Sequence, residues 1–271
     1  MNLADKVVVI TGAGSGIGRA TALAVSARGG RVVACDVDQP RLDALARSIG
    51  ERALLVRNVD VADRAQMVAF ADAVHALVPA VDVVINNAGV VVGAEFLDTT
   101  LDDWDWVLGV NLRGVIHGCK LFLPNMVERG AGGHVVNVSS IFGIYPAPHV
   151  TSYVASKFAV LGFSQSLRVE LAPLRIGVTA ICPGIINTAI VERGRLRGGF
   201  ETRRAKIAAM FQARGAPPEL VASAILDAIR TNPAVRTVGR DAAVVHALAR
   251  LSPRIVSRLG ATLGRRFGAG R

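Results

Sequence analysis

Short apolar runs alternate with amphipathic stretches along most of the chain. The first run, residues 6–11, reads KVVVIT, and its unbroken β-branched character is typical of a strand buried on both faces of a sheet. Similar runs follow at residues 31–36, 53–61, 82–86, 133–140, 176–182 and 235–239. Helical patterns lie between them, ending near residue 28 and covering 40–49, 64–77, 111–127, 150–172 and 217–230. This strict alternation predicts a single α/β domain, a doubly wound parallel sheet with helices on both faces.

The composition is that of a folded domain, with 51% hydrophobic and 19% charged residues. We expect residues 1–241 to form this domain and residues 242–271 to form a basic amphipathic C-terminal extension. Leucine and isoleucine recur in the extension at spacings of three and four, and arginines occupy another face. Such a helix can lie on an anionic membrane surface, cover a neighbouring subunit or cover the chain's own sheet edge. The pattern leaves these alternatives open.

The charge of the chain is uneven. The formal net charge is +10, but residues 191–271 hold sixteen basic and five acidic residues, so the first 190 residues are nearly neutral. This distribution, without zinc-finger or helix-turn-helix spacing, argues against a nucleic-acid-binding protein. The three cysteines fit neither a disulfide framework nor a metal site. We find no signal peptide and no membrane-spanning run, and we therefore expect a cytoplasmic protein, with peripheral membrane contact through the extension as an alternative.

A glycine-rich turn follows the first strand and opens the first helix. Its sequence is GAGSGIG, from Gly12 to Gly18. Glycines in this position let the backbone approach a pyrophosphate, and the helix N-terminus supplies free N–H groups. Asp36 ends the second strand about twenty residues later, where a carboxylate can accept hydrogen bonds from an adenosine ribose and repel a 2′-phosphate. The sequence thus predicts a dinucleotide site that favours NAD(H); the alternative for Asp36 is a cap on the next helix.

Other polar or small residues also follow predicted strands. Asp60 closes the third strand, where it either faces an adenine or caps the next helix, and small-residue turns follow the fourth and the sixth strands. Ligands of such sheets bind beyond the carboxyl ends of the strands. The residues that share this position are Gly12, Asp36, Asp60, Asn87, Ser140 and Pro183.

The segment after the fifth strand holds candidate acid–base chemistry. Tyr153 and Lys157 are four residues apart in a predicted helix, so their side chains share one face. A nearby ammonium favours the phenolate, and we expect Lys157 to lower the pKa of Tyr153 so that it can exchange protons. Ser140 ends the preceding strand, and its hydroxyl can hold a carbonyl or alkoxide oxygen.

These motifs together resemble the short-chain dehydrogenase/reductase family, in its common single-domain, Rossmann-type form. The matching segments are TGAGSGIG, NNAG, Asn111 in its helix, Ser140, YVASK and PGIINT, between residues 6 and 188. The resemblance implies that Tyr153 exchanges a proton with the substrate oxygen, which Ser140 binds. It also implies that Lys157 holds the nicotinamide ribose and that Asn111 fixes a water in a proton relay. The family spacing selects Ser140 over Ser139, which is expected to serve in packing.

The resemblance also implies a cofactor site and a reaction. The residues expected to hold NAD(H) are Gly12, Ser15, Gly16, Ile17, Gly18, Asp36, Asp60, Val61, Asn87, Ala88, Gly89, Tyr153, Lys157, Pro183, Gly184, Ile186 and Thr188. We expect an oxidoreductase that interconverts a fairly apolar secondary alcohol and its ketone. Family members usually form homodimers or homotetramers through the helices near Asn111 and Val150. The alternative is a catalytically idle dinucleotide sensor or scaffold acting through its basic extension.

Residues 189–215 correspond to the variable substrate lid of the family. Apolar residues, among them Leu196 and Phe200, are interspersed with arginines and one lysine. The apolar residues predict an inner face over an apolar substrate. For the arginines, either contact with an acidic substrate group or a solvated basic face remains open, and the second is favoured.

Overall fold

The computed structural model describes residues 1–239 and 242–243. The predicted C-terminal extension therefore lies almost wholly outside the described residues. The strands are β1 (Val7–Thr11), β2 (Arg31–Asp36), β3 (Ala53–Asn58), β4 (Val83–Asn86), β5 (Val92–Gly93), β6 (Gly133–Val138), β7 (Ile176–Pro183), β8 (Arg195–Leu196) and β9 (Val235–Val238). The α-helices are α1 (Gly16–Ser26), α2 (Gln39–Ile49), α3 (Arg64–His75), α4 (Leu101–Leu108), α5 (Gly114–Arg129), α6 (Thr151–Leu171), α7 (Ile190–Arg193), α8 (Arg204–Arg214) and α9 (Pro218–Thr231).

Seven strands form one parallel sheet in the order β3-β2-β1-β4-β6-β7-β9. The order reverses between β1 and β4, so the chain winds outward first to one side and then to the other. This confirms the predicted Rossmann-type, doubly wound, single-domain fold. β5 and β8 form a separate parallel pair that joins the segment after β4 to the predicted lid.

The core consists of two apolar layers, one on each face of the sheet. Alternate residues of β1 divide between them, because successive side chains of a strand point to opposite faces. Val8 and Ile10 pack with apolar residues of α1, α2 and α9, whereas Val7 and Val9 pack with those of α3, α5 and α6. Both layers are closed to solvent, which explains the unbroken apolar strands of the sequence.

Some predicted boundaries were wrong by two or three residues. β3 was predicted to reach residue 61 but ends at Asn58, and the chain then makes a turn in which Asp60 Oδ1 accepts the Ala62 N–H at 2.9 Å. α3 ends at His75 rather than at residue 77. β6 ends at Val138, so Ser139 and Ser140 lie just beyond the strand.

Within the part of the chain that the structure describes, no helix has the length and apolar character needed to cross a bilayer. The same residues contain no group of three or more metal-binding side chains. Cys35, Cys119 and Cys182 are all free thiols in the interior.

Asp82 stabilises the end of the sheet opposite the strand carboxyl ends. Its carboxylate is 8% exposed and accepts hydrogen bonds from Val7 N at 2.9 Å, Arg129 Nη1 at 3.0 Å and Lys6 Nζ at 3.2 Å. We predict that Asp82→Ala lowers the free energy of unfolding by about 2–3 kcal/mol, because three donors lose a shielded acceptor. Urea denaturation measures the change. Asp72→Ala, on the exposed side of α3, is the matched control, and an equal loss in both variants would contradict the role of Asp82.

Candidate active site

The glycine-rich turn lies in close contact with the end of β4. Gly12 has φ +65°, and a Cβ there would lie 2.8 Å from the Ala88 Cα; a Cβ on Gly18 would overlap the Gly12 carbonyl oxygen. Thr11 Oγ1 accepts the N–H groups of Asn87 and Ala88 at 3.0 and 3.1 Å. Asn87 Nδ2 in turn donates to the carbonyl oxygens of Thr11 and Gly12 at 2.9 and 3.1 Å. The carboxyl ends of β1 and β4 are thus held together with no side chain between the turns.

The carboxylate of Asp36 contacts the backbone of the glycine-rich turn. One carboxylate oxygen accepts Gly14 N at 2.9 Å and the other accepts Asp38 N at 3.1 Å. The N-cap of α2 is Asp38, whose side chain accepts Arg41 N at 3.2 Å. The alternative that Asp36 caps this helix is therefore excluded, and its carboxylate lies beside the glycine-rich backbone.

The structure after β3 excludes one of the two roles expected for Asp60, that of a helix cap. Asp63, and not Asp60, caps α3, accepting the N–H groups of Ala65 and Gln66. Asp60 is half-buried, and its side chain holds the local turn. Val61 is 5% exposed and packs against the backbone of α5 at Gly114. The capping role of Asp60 was wrong, and the adenine contact of this segment stays a prediction.

The segment after β7 brings distant residues to the glycine-rich turn. Pro183 ends β7, and Gly184 N donates to Val238 O at 2.9 Å. Ile186 pairs with Ala216, which positions the following Thr188 so that its methyl group would lie 3.0 Å from a Cβ on Gly16. A cleft of about 360 Å³ lies between this segment and the start of α1. Its lining includes Ser15, Gly16, Arg19, Arg41, Thr188 and Glu192.

Tyr153 and Lys157 lie together at the end of β6, as their spacing in α6 predicts. Lys157 Nζ is 5.6 Å from the centroid of the Tyr153 ring and donates to Val138 O at 2.9 Å. Ser140 Oγ accepts Phe142 N at 3.1 Å, and the Phe142 ring stands edge-on to the Tyr153 ring. Ser139 Oγ points elsewhere, donating to Lys157 O at 2.8 Å, in keeping with a packing role.

Asn111 connects the same group of side chains to the turn after β4. It lies in a π-helical turn, Gly109–Arg113, between α4 and α5 and is fully buried. Its amide pairs with the backbone of Val90, and its Nδ2 also donates to Ser156 Oγ at 3.0 Å. Ser156 Oγ donates to Tyr153 O at 2.7 Å. Asn111 therefore fixes α6 against the Val90 backbone.

Gly89 lies between Asn111 and Lys157. A Cβ added to this residue would stand 3.5 Å from Asn111 Oδ1 and 3.4 Å from Lys157 Nζ. Any larger residue would place its side chain between these two polar groups. The glycine of the NNAG motif thus keeps the space between them free of a side chain.

Burial shifts the pKa values of both candidate acid–base groups. It raises the pKa of Tyr153 to about 12, which a hydrogen bond with Ser140 partly opposes, and it lowers the pKa of Lys157 to about 8. The expectation that Lys157 lowers the pKa of Tyr153 was therefore wrong. Desolvation disfavours the charged forms of both groups and has the larger effect.

Four of the lid arginines bind groups of the protein itself, whereas Lys206 and Arg214 are exposed, in keeping with the favoured solvated face. Contact with an acidic substrate group stays a prediction. Arg204 Nη1 donates to the carbonyl oxygens of Val191, Glu192 and Gly194, and Arg193 contacts Ser15 Oγ at 3.2 Å. Arg195 and Arg197 bind Asp103, as described below. These side chains hold the lid to itself and to the domain, whereas Leu196 and Phe200 are buried beneath it, as predicted.

Sequence reasoning missed several residues that position the site. Ser156 lies inside the YVASK motif and Thr11 opens the glycine motif, so their places were visible although their hydrogen bonds were not. Asp103 and Arg193 had no comparable signal, because their partners are distant in sequence.

The buried ammonium has a consequence for stability. The pKa of Lys157 is lower in the folded protein than its ordinary value of 10.5, so burial of the charged form destabilises the folded state fully below about pH 8 and no longer does above 10.5. We predict that, between pH 7 and 10.5, the wild type gains about 3 kcal/mol of unfolding free energy relative to Lys157→Met. Urea denaturation at both pH values measures this difference. Lys120→Met, at an exposed site on α5, is the control, and a pH-independent difference for Lys157→Met would contradict the prediction.

Comparisons with known proteins agree with this geometry. The short chain dehydrogenase family model matches residues 6–197. EphD of Mycobacterium tuberculosis, named as an oxidoreductase, is 40% identical over 257 residues, which are 92% of this chain but 43% of EphD. The chain thus spans less than half of that relative. SadH of the same organism, also named as an oxidoreductase, is 38% identical over 94% of this chain and 93% of SadH.

Solved structures show the same relationship. A short chain dehydrogenase/reductase from Burkholderia phymatum, in complex with NAD, superimposes with a TM-score of 0.85 at 28% identity, covering 94% of this chain and 96% of that one. Levodione reductase superimposes with a TM-score of 0.78 at 31% identity, covering 89% and 99% of the two chains. By its sequence motifs, sheet order and relatives, this chain belongs to the short-chain dehydrogenase/reductase family of oxidoreductases.

Proposed function

We propose that the protein is an NAD(H)-dependent oxidoreductase that interconverts a fairly apolar secondary alcohol and its ketone. The observation that carries the proposal is the grouping of Ser140, Tyr153, Lys157 and Asn111 at the carboxyl edge of the sheet, next to the glycine-rich turn. An idle dinucleotide sensor would have no need of this combination. The grouping instead suits proton exchange with an oxygen held near Tyr153.

The residues around the glycine-rich turn fit a dinucleotide. Gly12 and Gly18 let the turn fold tightly against Ala88 and against its own backbone, and Gly16 leaves the surface at the N-terminus of α1 free of a side chain, where the free N–H groups lie. Thr188 faces this surface from the other side. When bound, the nicotinamide supplies or accepts the hydride, which is chemistry that no side chain provides.

The chain's own groups manage the proton. Its raised pKa keeps Tyr153 protonated at neutral pH, the form that donates to an alkoxide developing on a ketone. Ser140 donates its hydroxyl hydrogen to the same oxygen and orients it. In alcohol oxidation the phenol of Tyr153 first gives its proton to the neutral amine of Lys157, a form that the lowered pKa of about 8 makes accessible, and the resulting phenolate then accepts the proton of the alcohol. Lys157 passes its proton on towards Asn111.

Asp36 favours NAD(H) over NADP(H). Its carboxylate lies beside Gly14 at the end of β2, where it can accept ribose hydroxyl groups and repel a 2′-phosphate. The residue that follows is Val37, which is exposed and offers no positive charge. The complex of the Burkholderia phymatum relative with NAD supports the same preference.

The surroundings of Tyr153 favour an apolar substrate. Phe142 stands edge-on to Tyr153 and stacks on Tyr145, and we propose that the buried lid residues Leu196 and Phe200 cover the substrate there. Two relatives are named for the reduction of ketones, levodione reductase and the 3-oxoacyl-[acyl-carrier-protein] reductase of Thermotoga maritima. The second is 39% identical over 71% of this chain and 79% of its own length. We extend carbonyl–alcohol chemistry to this chain, without their particular substrates.

We also propose a cytoplasmic homodimer or homotetramer. Phe158 and Val169 on α6 are exposed apolar residues, as is Val127 on α5, and they support self-association through these two helices.

Replacing Tyr153 tests the acid–base role. We predict that Tyr153→Phe lowers kcat by at least about a hundredfold, because it removes the exchangeable proton, while NADH affinity stays within about threefold. Turnover with NAD is measured on a panel of steroids, hydroxyacyl thioesters, terpene alcohols and cyclic alcohols.

Tyr145→Phe is the matched control for this variant. Tyr145 is the other tyrosine of the chain, its ring also contacts Phe142, and its hydroxyl has no hydrogen-bond partner among the described residues. This control should retain most of the activity. Residual activity of Tyr153→Phe above about a tenth of wild type, a barrier change below about 1.4 kcal/mol, would contradict the proposal.

Asp36→Asn tests the cofactor preference. The amide keeps an acceptor oxygen for the neighbouring N–H groups but removes the negative charge. We predict that the ratio of kcat/KM for NADPH to that for NADH rises at least about tenfold, because repulsion of the 2′-phosphate is lost. Steady-state kinetics with both cofactors measures the ratio, and Asp43→Asn, exposed on α2, should leave it unchanged. A wild type that prefers NADPH would refute the NAD assignment directly.

A further inference from the structure

A fully buried carboxylate joins α4 to the substrate lid. Asp103 has no solvent-accessible side-chain surface, and it accepts hydrogen bonds from Arg197 Nη2 at 2.8 Å, Arg197 Nε at 3.0 Å and Arg195 Nη1 at 3.2 Å. These arginines lie more than ninety residues away in sequence. Because an unpaired buried charge is strongly unfavourable, Asp103 keeps both guanidinium groups beside it.

The contact is more than a helix cap. Asp103 does form a capping box with Thr100 at the start of α4, but an asparagine or a glutamine could accept the same N–H group. A cap does not need two arginines. Their guanidinium groups hold the pKa of Asp103 well below its usual range, so the carboxylate is charged at neutral pH and pairs with both arginines.

Additional interactions fix the same part of the lid. The Arg195 guanidinium lies 4.1 Å from the centroid of the Trp106 ring, one turn along α4 from Asp103. The β5–β8 pair adds backbone hydrogen bonds from Arg195 N to Val91 O and from Arg197 N to Gly93 O, both 3.0 Å. Residues 195–197 are therefore held by side chains and by backbone at once. We call this group, Asp103, Trp106, Arg195 and Arg197, the lid anchor.

The lid anchor is followed by an apolar lid residue that packs against the loop leading into α6. Phe200 follows three residues after Arg197, is 8% exposed and packs on the His149 ring with the centroids 5.1 Å apart. His149 lies four residues before Tyr153 and has φ +64°, and its carbonyl oxygen accepts Ala94 N at 2.8 Å. The loop before Tyr153, the segment after β5 and the lid thus meet at one point.

The other end of the lid is held less firmly. Arg193 reaches Ser15 Oγ at 3.2 Å and Asp38 Oδ2 at 3.5 Å, and the side chains of Arg193 and Asp38 are 37% and 31% exposed. Exposed ion pairs contribute little stability, whereas loss of one partner from a buried pair has a large effect. Movement of the lid away from the glycine-rich turn should thus leave residues 195–197 in place.

We propose that Asp103 is a positioning residue of the reaction: through Arg195 and Arg197 it holds the lid so that Phe200 closes the substrate side of the site beside Tyr153. This rests on the proposed function, because the substrate that Phe200 would cover is the alcohol or ketone proposed above. Asp103 touches neither the reacting atoms nor the glycine-rich turn. Its loss should weaken substrate binding while leaving the acid–base groups and the dinucleotide cleft intact.

The first experiment needs no substrate. Limited proteolysis of the full-length protein with trypsin, followed by mass spectrometry, reports cleavage at the basic residues between 193 and 214. We expect Asp103→Asn to increase the cleavage rate there at least about tenfold, because the lid opens locally when the buried charge is lost. Asp102→Asn is the matched control, since it removes an exposed carboxylate from the same helical turn.

A second variant, on the lid side, tests the same contact without altering α4. Arg197→Gln removes the two closest hydrogen bonds of Asp103 but leaves the capping box and Arg195 in place. We expect it to increase cleavage at the remaining lid sites in the same direction. The double variant Asp103→Asn/Arg197→Gln should then be cleaved little faster than either single variant, because both substitutions remove the same interaction.

Kinetics separates positioning from a structural role. With the best alcohol of the panel, we expect KM to rise about tenfold in Asp103→Asn and Arg197→Gln, with kcat and NADH affinity within about threefold of wild type. Lid cleavage and KM equal to those of Asp102→Asn would overturn the proposal. A loss of kcat at constant KM would also overturn it. That result would mean that Asp103 acts on the reaction through Asn111, in the turn after α4, and not through the lid.

The two proposals fail in different ways. If the wild type turns over no alcohol or ketone, the proposed function fails, and the proteolysis result alone decides whether Asp103 anchors the lid. If the wild type is active and the lid variants match the control in both assays, the anchor fails and the proposed function stands.

Discussion

The carboxyl ends of the parallel strands carry backbone groups that the sheet itself cannot pair, and the site is built from the side chains that pair them. Thr11 Oγ1 accepts two N–H groups after β4, and Asn87 Nδ2 donates to two carbonyl oxygens after β1. Lys157 Nζ donates to Val138 O at the end of β6. Because buried backbone groups need partners, these contacts fix the positions of the polar side chains. The side chains of the candidate site are therefore positioned by the same hydrogen bonds that satisfy the backbone at this edge of the sheet.

The same burial that fixes these groups also sets their titration. Lys157 and Tyr153 are buried, and desolvation shifts the pKa of each in the direction that favours its neutral form, which their proximity does not outweigh. Neutral tyrosine suits donation of a proton to a carbonyl oxygen. A lysine with a pKa of about 8 can exchange a proton near physiological pH, which an exposed lysine with an ordinary value cannot do as readily.

The fold and the grouping of the site could be predicted from sequence because both depend on local patterns. Unbroken apolar strands define the sheet, and every motif at a strand end, such as the glycine-rich turn or the YVASK segment, is brought to the same edge by the parallel topology. The incorrect predictions have a common cause. In each case two residues or two physical effects compete, and the local sequence does not show which one prevails. Asp60 and Asp63 are both near α3, and only the backbone conformation decides that Asp63 is the cap. The pKa of Tyr153 depends on how much protein surrounds it.

The lid arginines show most clearly what a local sequence pattern cannot predict. A basic, amphipathic run is typical of a solvated surface, and this interpretation was wrong for Arg195 and Arg197 because their acidic partner, more than ninety residues away, is fully buried. The cost of isolating a buried carboxylate is large compared with the benefit of solvating an arginine that can keep its tip near water. Arg195 and Arg197, each with about two-fifths of its side chain exposed, satisfy both demands at once. The position of the lid thus follows from the electrostatic requirement of one residue in α4, and the helix that carries this residue continues directly into the turn that holds Asn111.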